Sequence, residues 1–437
     1  MYIIVDETEY RHLSGLTFAP QTDMTGDQLP VNEFEVDVYT DGMLYYGQWA
    51  YLYDDLDNVW AFYYIVYAQR VSTGVLHIRA RSPLELMERV TLQEQYYSGA
   101  PLDDVLDDTF TALGDGYTVG IDYTIDEALE AATVTGYCPE QNARERLQWV
   151  AFAVGAYVRT YGSASVDLLP VSQEAALIPL EKHYWRPKLT YSDIVTALTV
   201  TEYDYQQVLV PQNDNATTYK FPPTLEVEEQ QIRLNNPGQI TGARKNEIDV
   251  DGMYLITEDN SDAVLDRMSR RYFKRTAVDL DVIDNAEYWP GQSVIVYADP
   301  DTLIQGFIES AAFAFGKQAR ATLHLIAADT VAGAELLIVC KWGNTILNSR
   351  RYTFPVGYGY DLPNPYIDMV FGEHRYIFRP TTARTTGTMA QGGAEVEVSY
   401  EIALDLCGGV LHVISVDEVT VETEGSGSEA VRVGVIT

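Results

Sequence analysis

The chain has 437 residues, with 29 Lys plus Arg against 64 Asp plus Glu, giving a formal net charge of −35 and a pI near 4.3. That length suggests about three domains at roughly 100–200 residues each, and a hydrophobic content of 46% is that of a folded protein, so the acidity is no sign of disorder. The charge excludes a protein that grips nucleic-acid phosphates, which takes clustered Lys and Arg, and it disfavours docking on anionic membranes.

The 32 Tyr, 13 Phe and 6 Trp form an aromatic load suited to strands. Cys138, Cys340 and Cys407 lie far apart with no CxxC pair, so buried free thiols are expected rather than a zinc site or a disulfide framework. Met1 to Glu7 shows no basic stretch leading into an apolar run, so no secretory signal is expected. The longest apolar run, 150–158, is about half of a membrane span. The chain is therefore expected to be made and folded in a cytoplasm.

Residues 33–82 read as strands, with Phe34 to Val38 alternating apolar and acidic. Trp60 to Val66 and Val75 to Ala80 add two β-type segments, with turns at Asp54 to Asn58 and Gly74. After Ser82-Pro83 the period changes. Pro83 can open a short helix beginning at Leu84. Leu102, Val105, Leu106, Phe110 and Leu113 recur at spacings of three and four, which predicts an amphipathic helix over 101–113 closed by Gly114. A third helix is predicted from Asn142 to Gly155, followed by a strand at Tyr157 to Arg159. Strand character returns at Thr190 to Tyr205. Loops are expected at Pro211 to Asn215 and Asn235 to Gly238, and a helix over 262–274. Strands then run from Val278 to about Ile326. From 331 onward the pattern is β, rich in Gly and aromatics, with a flexible Glu424 to Ser428 segment before a final strand.

Two of these β units repeat. A shift of 244 places sets Asp37 on Asp281, Val38 on Val282, Gly47 on Gly291, Gln48 on Gln292, Tyr53 on Tyr297 and Asp57 on Asp301 without a gap. A three-residue adjustment then brings Leu76-His77-Ile78 onto Leu323-His324-Leu325. One reading is a duplicated small β-barrel in which Gly-Gln turns into a strand in each copy. The other is two unrelated units sharing turn chemistry. His77 and His324 are expected to pack or hydrogen-bond rather than catalyse.

The order of segments carries a resemblance. A β unit leads through Ser82-Pro83-Leu84-Glu85-Leu86 into an α/β insert, then a linker and a helix ending in Arg270-Arg271-Tyr272. A second β unit follows with Trp289-Pro290-Gly291-Gln292-Ser293-Val294 and Ile304-Gln305-Gly306-Phe307-Ile308. This resembles the baseplate hub, or tail-hub, proteins of tailed bacteriophages and related contractile injection machines. In that family a tyrosine-bearing helix precedes a pro-gly-x-x-val turn, an i-x-gly-x-i strand and a β-hairpin, here Phe313 to Ile326. The resemblance covers roughly residues 1–328 and leaves 331–437 outside it.

The resemblance implies a mainly β protein with an α/β insert. A first β-barrel domain is expected over 1–82 with 183–210, and the inserted α/β domain over 83–182. A second β-barrel domain with its preceding helix would fill 211–330, and a C-terminal β domain 331–437. It also implies a homotrimer at the virion tail tip, assembled in the host bacterial cytoplasm. Three chains would present six quasi-equivalent barrels, making pseudo-six-fold symmetry from three-fold. The implied partners are a tail-tube or distal tail ring protein, the tape-measure protein and a spike or tip-fibre protein. DNA would pass without specific binding, and neither cofactor nor membrane span is expected. A negative wall repels phosphate and leaves the duplex free to slide. Asp54, Asp55, Asp57, Asp299 and Asp301, at turns, are candidates for that wall. A solvated acidic surface is the equal alternative for each.

Catalysis finds little support. Paired carboxylates would suit glycoside hydrolysis, and Asp103, Asp104, Asp107, Asp108 and the Glu226-Val227-Glu228-Glu229 run are the densest acids. The four aspartates fall at i, i+1, i+4 and i+5 of a helix, which predicts a solvated face. No Gly-x-Ser-x-Gly elbow, His-Glu-x-x-His helix or Gly-Lys-Ser phosphate loop occurs. A carbohydrate- or receptor-binding β module is the alternative from another class. Tyr352, Tyr358, Tyr360, Tyr366, Tyr376, Trp342 and Phe371 concentrate in the C-terminal region, where subunit-interface packing competes with sugar stacking.

Overall fold

Helix boundaries follow from caps and apolar periodicity. The computed structural model describes residues 1–114, 121–172, 174–184, 186–208, 221–222, 224–238, 244–283, 287–315, 320–342, 345–363, 367–371, 374–380, 384–398, 400–405, 419–424 and 431–436. Its helices are α1 (Leu84–Met87), α2 (Leu102–Gly114), α3 (Ala143–Val154) and α4 (Ser261–Tyr272). In α3 the Asn142 side chain accepts from Glu145 N at 2.8 Å while the Glu145 carboxylate accepts from Asn142 N at 3.4 Å, a capping box. Gly155 ends the helix with φ 85°, where a Cβ would strain the backbone. Leu102, Val105, Leu106, Phe110 and Leu113 of α2 are buried against Leu147 and Val150 of α3, while Asp103, Asp104, Asp107 and Asp108 are exposed. Short strands flank these helices: Gln95–Pro101 pairs with Thr133–Cys138, and Val166–Pro170 lies between Tyr123–Ile125 and Ala156–Arg159.

The chain divides into two compact units, residues 1–296 with 305–329 and residues 297–304 with 330–437. Each repeat supplies four strands in the same lateral order. Glu33–Tyr39, Val75–Arg81, Val59–Ser72 and Trp49–Tyr53 lie side by side. Thr276–Ile283, Arg320–Val331, Thr302–Ala314 and Ser293–Asp299 do likewise.

The expectation of two small β-barrels is not met: among the described residues no sheet closes on itself. Instead the Leu13–Phe18 strand pairs on one side with Glu33–Tyr39 and on the other with Phe313 and Ala314, joining the two sets edge to edge. The result is one open 13-stranded sheet, with Lys188–Tyr191 at one end and Thr8–Tyr10 at the other. Edge pairing gives the reason: Leu13–Phe18 takes up the edges at Glu33–Tyr39 and at Phe313 and Ala314, so neither set is left to close on itself.

Aromatics fill the join. Phe18 stacks on Phe313 at 6.2 Å, and Trp289 meets Phe313 at 4.9 Å, Trp60 at 5.0 Å and Tyr161 at 5.8 Å. Much of the aromatic load noted in the sequence is core here, at edge-on and offset geometries favourable for rings.

α4 docks through polar as well as apolar groups. Val264, Leu265 and Met268 are buried with Phe152, Leu198 and Val200. The Arg267 guanidinium donates to the carbonyls of Thr25 (3.2 Å) and Phe152, and burial lowers its pKa to about 10. Nearby the Tyr272 hydroxyl donates to Asp27 at 3.1 Å. Burial, with the Asp23 carboxyl beside it, pushes Asp27 up to about 7. Its proton is thus held more tightly folded than unfolded. Stability from this group is present below the ordinary carboxylate range and is lost as pH rises towards 7. Asp27→Asn is expected to flatten that slope and to be the more stable form at pH 8, by on the order of 1 kcal/mol. Urea titrations of both proteins between pH 4 and 8 check this; a parallel slope in the variant would exclude Asp27 as its source.

In the second unit Gly333–Trp342 pairs with Thr345–Pro355 and with Ala394–Val398, and Gly359–Pro363 pairs with Arg384–Thr388. A five-stranded sheet runs Ile367–Phe371, His374–Pro380, Tyr400–Asp405, Val431–Ile436, Val419–Glu424. This unit is β, and Phe354 stacks on Tyr358 at 5.6 Å. Tyr366 and the side chains of Trp342, Tyr360, Phe371 and Tyr376 lie outside the described residues, as do Pro211 to Asn215 and Gly425 to Ser428.

Candidate assembly surface

The two Gly-Gln turns are built alike. Gly47 N donates to Ile65 O at 3.0 Å and Ile65 N to Gln48 O at 2.8 Å; Gly291 N donates to Ile308 O at 2.8 Å and Ile308 N to Gln292 O at 2.9 Å. The glutamine side chains do the same work, accepting from Tyr45 N at 2.6 Å and from Trp289 N at 3.0 Å. Both glycines sit at positive φ, 100° and 92°. These turns make Tyr45 the counterpart of Trp289 and Ile65 the counterpart of Ile308.

The histidines also match, with a twist in register. His77 Nδ1 lies 2.8 Å from Asp37 Oδ1 and His324 Nδ1 lies 2.7 Å from Asp279 Oδ1. Asp281, which the sequence shift sets on Asp37, faces Thr322 instead. The first strand of the second repeat is therefore slipped by two residues, which keeps every side chain on its face.

Tyr53 and Tyr297 hold different partners. Tyr53 stacks on Tyr2 at 5.0 Å, whereas Tyr297, in the second unit, donates to Thr353 O at 2.6 Å. Asp54 organises its turn by accepting from Leu56 N (2.8 Å), Asn58 N (2.9 Å) and Asn58 Nδ2 (2.8 Å). Burial opposes its charge, but bonds from Asn58 and Leu56 hold its carboxyl below the ordinary value. Asp55 is exposed beside the Met1 ammonium, and Asp57 accepts from Tyr2 hydroxyl at 2.8 Å. So Asp54, Asp55 and Asp57 meet at one turn. Asp299, whose carboxylate accepts from Asp301 N at 3.0 Å, and Asp301 form a separate turn in the second unit.

Among the described residues no group of His, Cys, Asp and Glu is arranged to hold a metal ion, and no helix is long and apolar enough to cross a membrane. Cys138 is a buried free thiol, and burial raises its pKa to about 12. Glu226, Glu228 and Glu229 lie exposed on Leu225–Asn235, opposite Gln206, Asp204 and Tyr203 respectively of the neighbouring strand.

What the sequence did not mark is a set of exposed apolar side chains on the first repeat. Tyr39, Met43, Tyr45, Tyr46 and Val71 are each more than half exposed. Arg70 pins the loop beneath them by donating to the carbonyls of Thr40, Asp41 and Gly42, the last at 2.7 Å. Exposed apolar groups gathered on one connector and its neighbouring strands are suited to protein contact. The signal available was the Met43-Leu44-Tyr45-Tyr46 run in a connector.

The fold is shared with a solved tail protein. The chain is similar to the tail protein from Neisseria meningitidis MC58, with a TM-score of 0.51 and 11% identity over 74% of this chain and 95% of that one. The 43 kDa tail protein of prophage MuSo2 from Shewanella oneidensis aligns at 0.49 and 10% identity, over 75% and 97%. Prophage tail protein gp18 from Listeria monocytogenes EGD-e aligns at 0.49 and 13%, over 74% and 94%. No family model and no curated protein sequence matches the chain. At such identities the likeness to the first establishes a shared fold.

Proposed function

We propose that this chain is a structural protein of a phage-type tail, a homotrimeric hub at the tail tip that adapts a six-fold tube to a three-fold spike or tip. The observation that carries this reading is the duplication: two turn-matched repeats lie side by side in one sheet of one chain. Three chains then offer six similar repeats, as a six-fold neighbour requires. The tube or distal ring protein, the tape-measure protein and the spike or tip-fibre protein are the partners this role needs. Residues 83–182 would be an insert and 331–437 a separate addition. With −35 per chain the ring would let DNA pass without holding it, and Asp54, Asp55, Asp57, Asp299 and Asp301 are the acids assigned to the wall.

Light scattering and negative-stain microscopy test the reading. A particle of three 49.0 kDa chains with a central opening is expected. A monomer at every concentration tried would overturn it. A second reading, carbohydrate or receptor binding, draws support from a cavity of about 370 Å³ lined by Tyr96, Tyr137, Glu94 and Gln207, rings and planar polar groups that suit a sugar. A monomer whose melting temperature rises with a neutral oligosaccharide would favour it.

A further inference from the structure

The chain contains one completed junction between repeats and both halves of a second. In the completed one, Thr17 and Phe18 pair with Ala314 and Phe313, and Trp289 of the turn covers the ring of Phe18 at 6.3 Å. Each participant has a counterpart elsewhere in the chain.

Leu13–Phe18 flanks the first strand of the first repeat, where Thr17 faces Glu35 and Phe18 faces Phe34. Lys188–Tyr191 flanks the first strand of the second, where Thr190 faces Ala277 and Tyr191 faces Thr276. The His–Asp pairs fix the correspondence. With Asp37 matched to Asp279, Glu35 falls on Ala277 and Phe34 on Thr276. Thr190-Tyr191 therefore stands where Thr17-Phe18 stands. On the other side, counting five and six residues on from Ile308 and Ile65 matches Phe313 and Ala314 to Arg70 and Val71. Tyr45 is the counterpart of Trp289.

The counterparts are open. Tyr191 is 67% exposed, Tyr45 59% and Val71 56%. Lys188–Tyr191 ends the sheet, and Trp49–Tyr53 pairs with its neighbour only as far as Tyr64, so among the described residues nothing pairs with the outer edge of Tyr67 to Ser72. Open edges with exposed aromatics are templates for another strand.

We propose that a second copy of this chain completes the junction, Thr190-Tyr191 of one copy pairing along Arg70-Val71 of the next while Tyr45 covers the incoming Tyr191. The contact is head-to-tail, so it propagates until a ring closes. Three copies would alternate three internal junctions with three between chains. The inference deepens the hub reading and rests on it, since the occupant is another copy.

Two measurements test it. Tyr191→Asp, on an exposed side chain, is expected to weaken self-association by about tenfold or more in sedimentation velocity, with unchanged secondary structure. Val71→Cys combined with Tyr191→Cys, treated with a short bismaleimide, is expected to give a covalent ladder ending at three chains, which neither single variant gives. A parent trimer that survives Tyr191→Asp and yields no ladder would overturn this junction and leave the hub reading standing. A parent that never assembles would overturn both.

Discussion

Trp289→Ala is expected to lower the unfolding free energy of the isolated subunit by about 3 kcal/mol, the lower end for truncating a large aromatic, because the ring is half-buried. Its contacts explain the size. The indole touches Phe18 and Trp60 of the first repeat, Phe313 of the second and Tyr161 of the insert, so its removal opens a gap where three parts of the sheet and insert converge. Tyr45→Ala provides the contrast. Tyr45 occupies the same place in the first repeat's turn yet is 59% exposed, so its truncation should stay within about 0.5 kcal/mol. Urea unfolding under dissociating conditions compares the two. Equal midpoint shifts would mean that Trp289 does not hold the repeats together. Assembly should reverse the ranking, Tyr45→Ala weakening self-association though it leaves the monomer intact.

Legibility divided along physical lines. α2 was readable because Leu102, Val105, Leu106, Phe110 and Leu113 follow a 3.6-residue period that burial then enforces. The Gly-Gln turns were readable because a residue at positive φ followed by a side chain that bonds back three residues leaves a local signature. The barrel expectation failed where information is non-local. Whether four strands close or join another set depends on Phe18 meeting Phe313, and nothing near either residue encodes that pairing. The two-residue slip that gives His324 to Asp279 was equally hidden, because a period-two pattern looks the same after moving by two. The short strands Tyr2–Val5 and Leu13–Phe18 were missed as well, though Leu13–Phe18 decides the topology. Among the acids, Asp54 accepts from Leu56 N and Asn58 N within its own turn, while Tyr53 and Tyr297 align in sequence but serve unrelated contacts.

The second large effect separates two glycines that the sequence makes identical. Gly47→Ala and Gly291→Ala each place a Cβ at positive φ, 100° and 92°, which costs about 1–2 kcal/mol by itself. Space then divides them. At Gly47 the nearest atom to a new Cβ is the Tyr64 hydroxyl at 3.6 Å, an ordinary contact. At Gly291 the Cβ would meet the Tyr157 ring at 2.4 Å, far inside contact distance. Tyr157 cannot retreat easily, being 6% exposed and packed edge-on against Phe307 at 5.9 Å. Overpacking adds about 1–3 kcal/mol, so Gly291→Ala should cost about twice as much as Gly47→Ala. Tyr157→Leu in the Gly291→Ala background is expected to recover part of the difference, since the flexible side chain can move off the new methyl. Urea midpoints of the three variants decide it. Equal costs for the two single variants, or no recovery in the double, would show that the Gly291 turn does not press on Tyr157 and that the second repeat's turn tolerates a side chain as readily as the first.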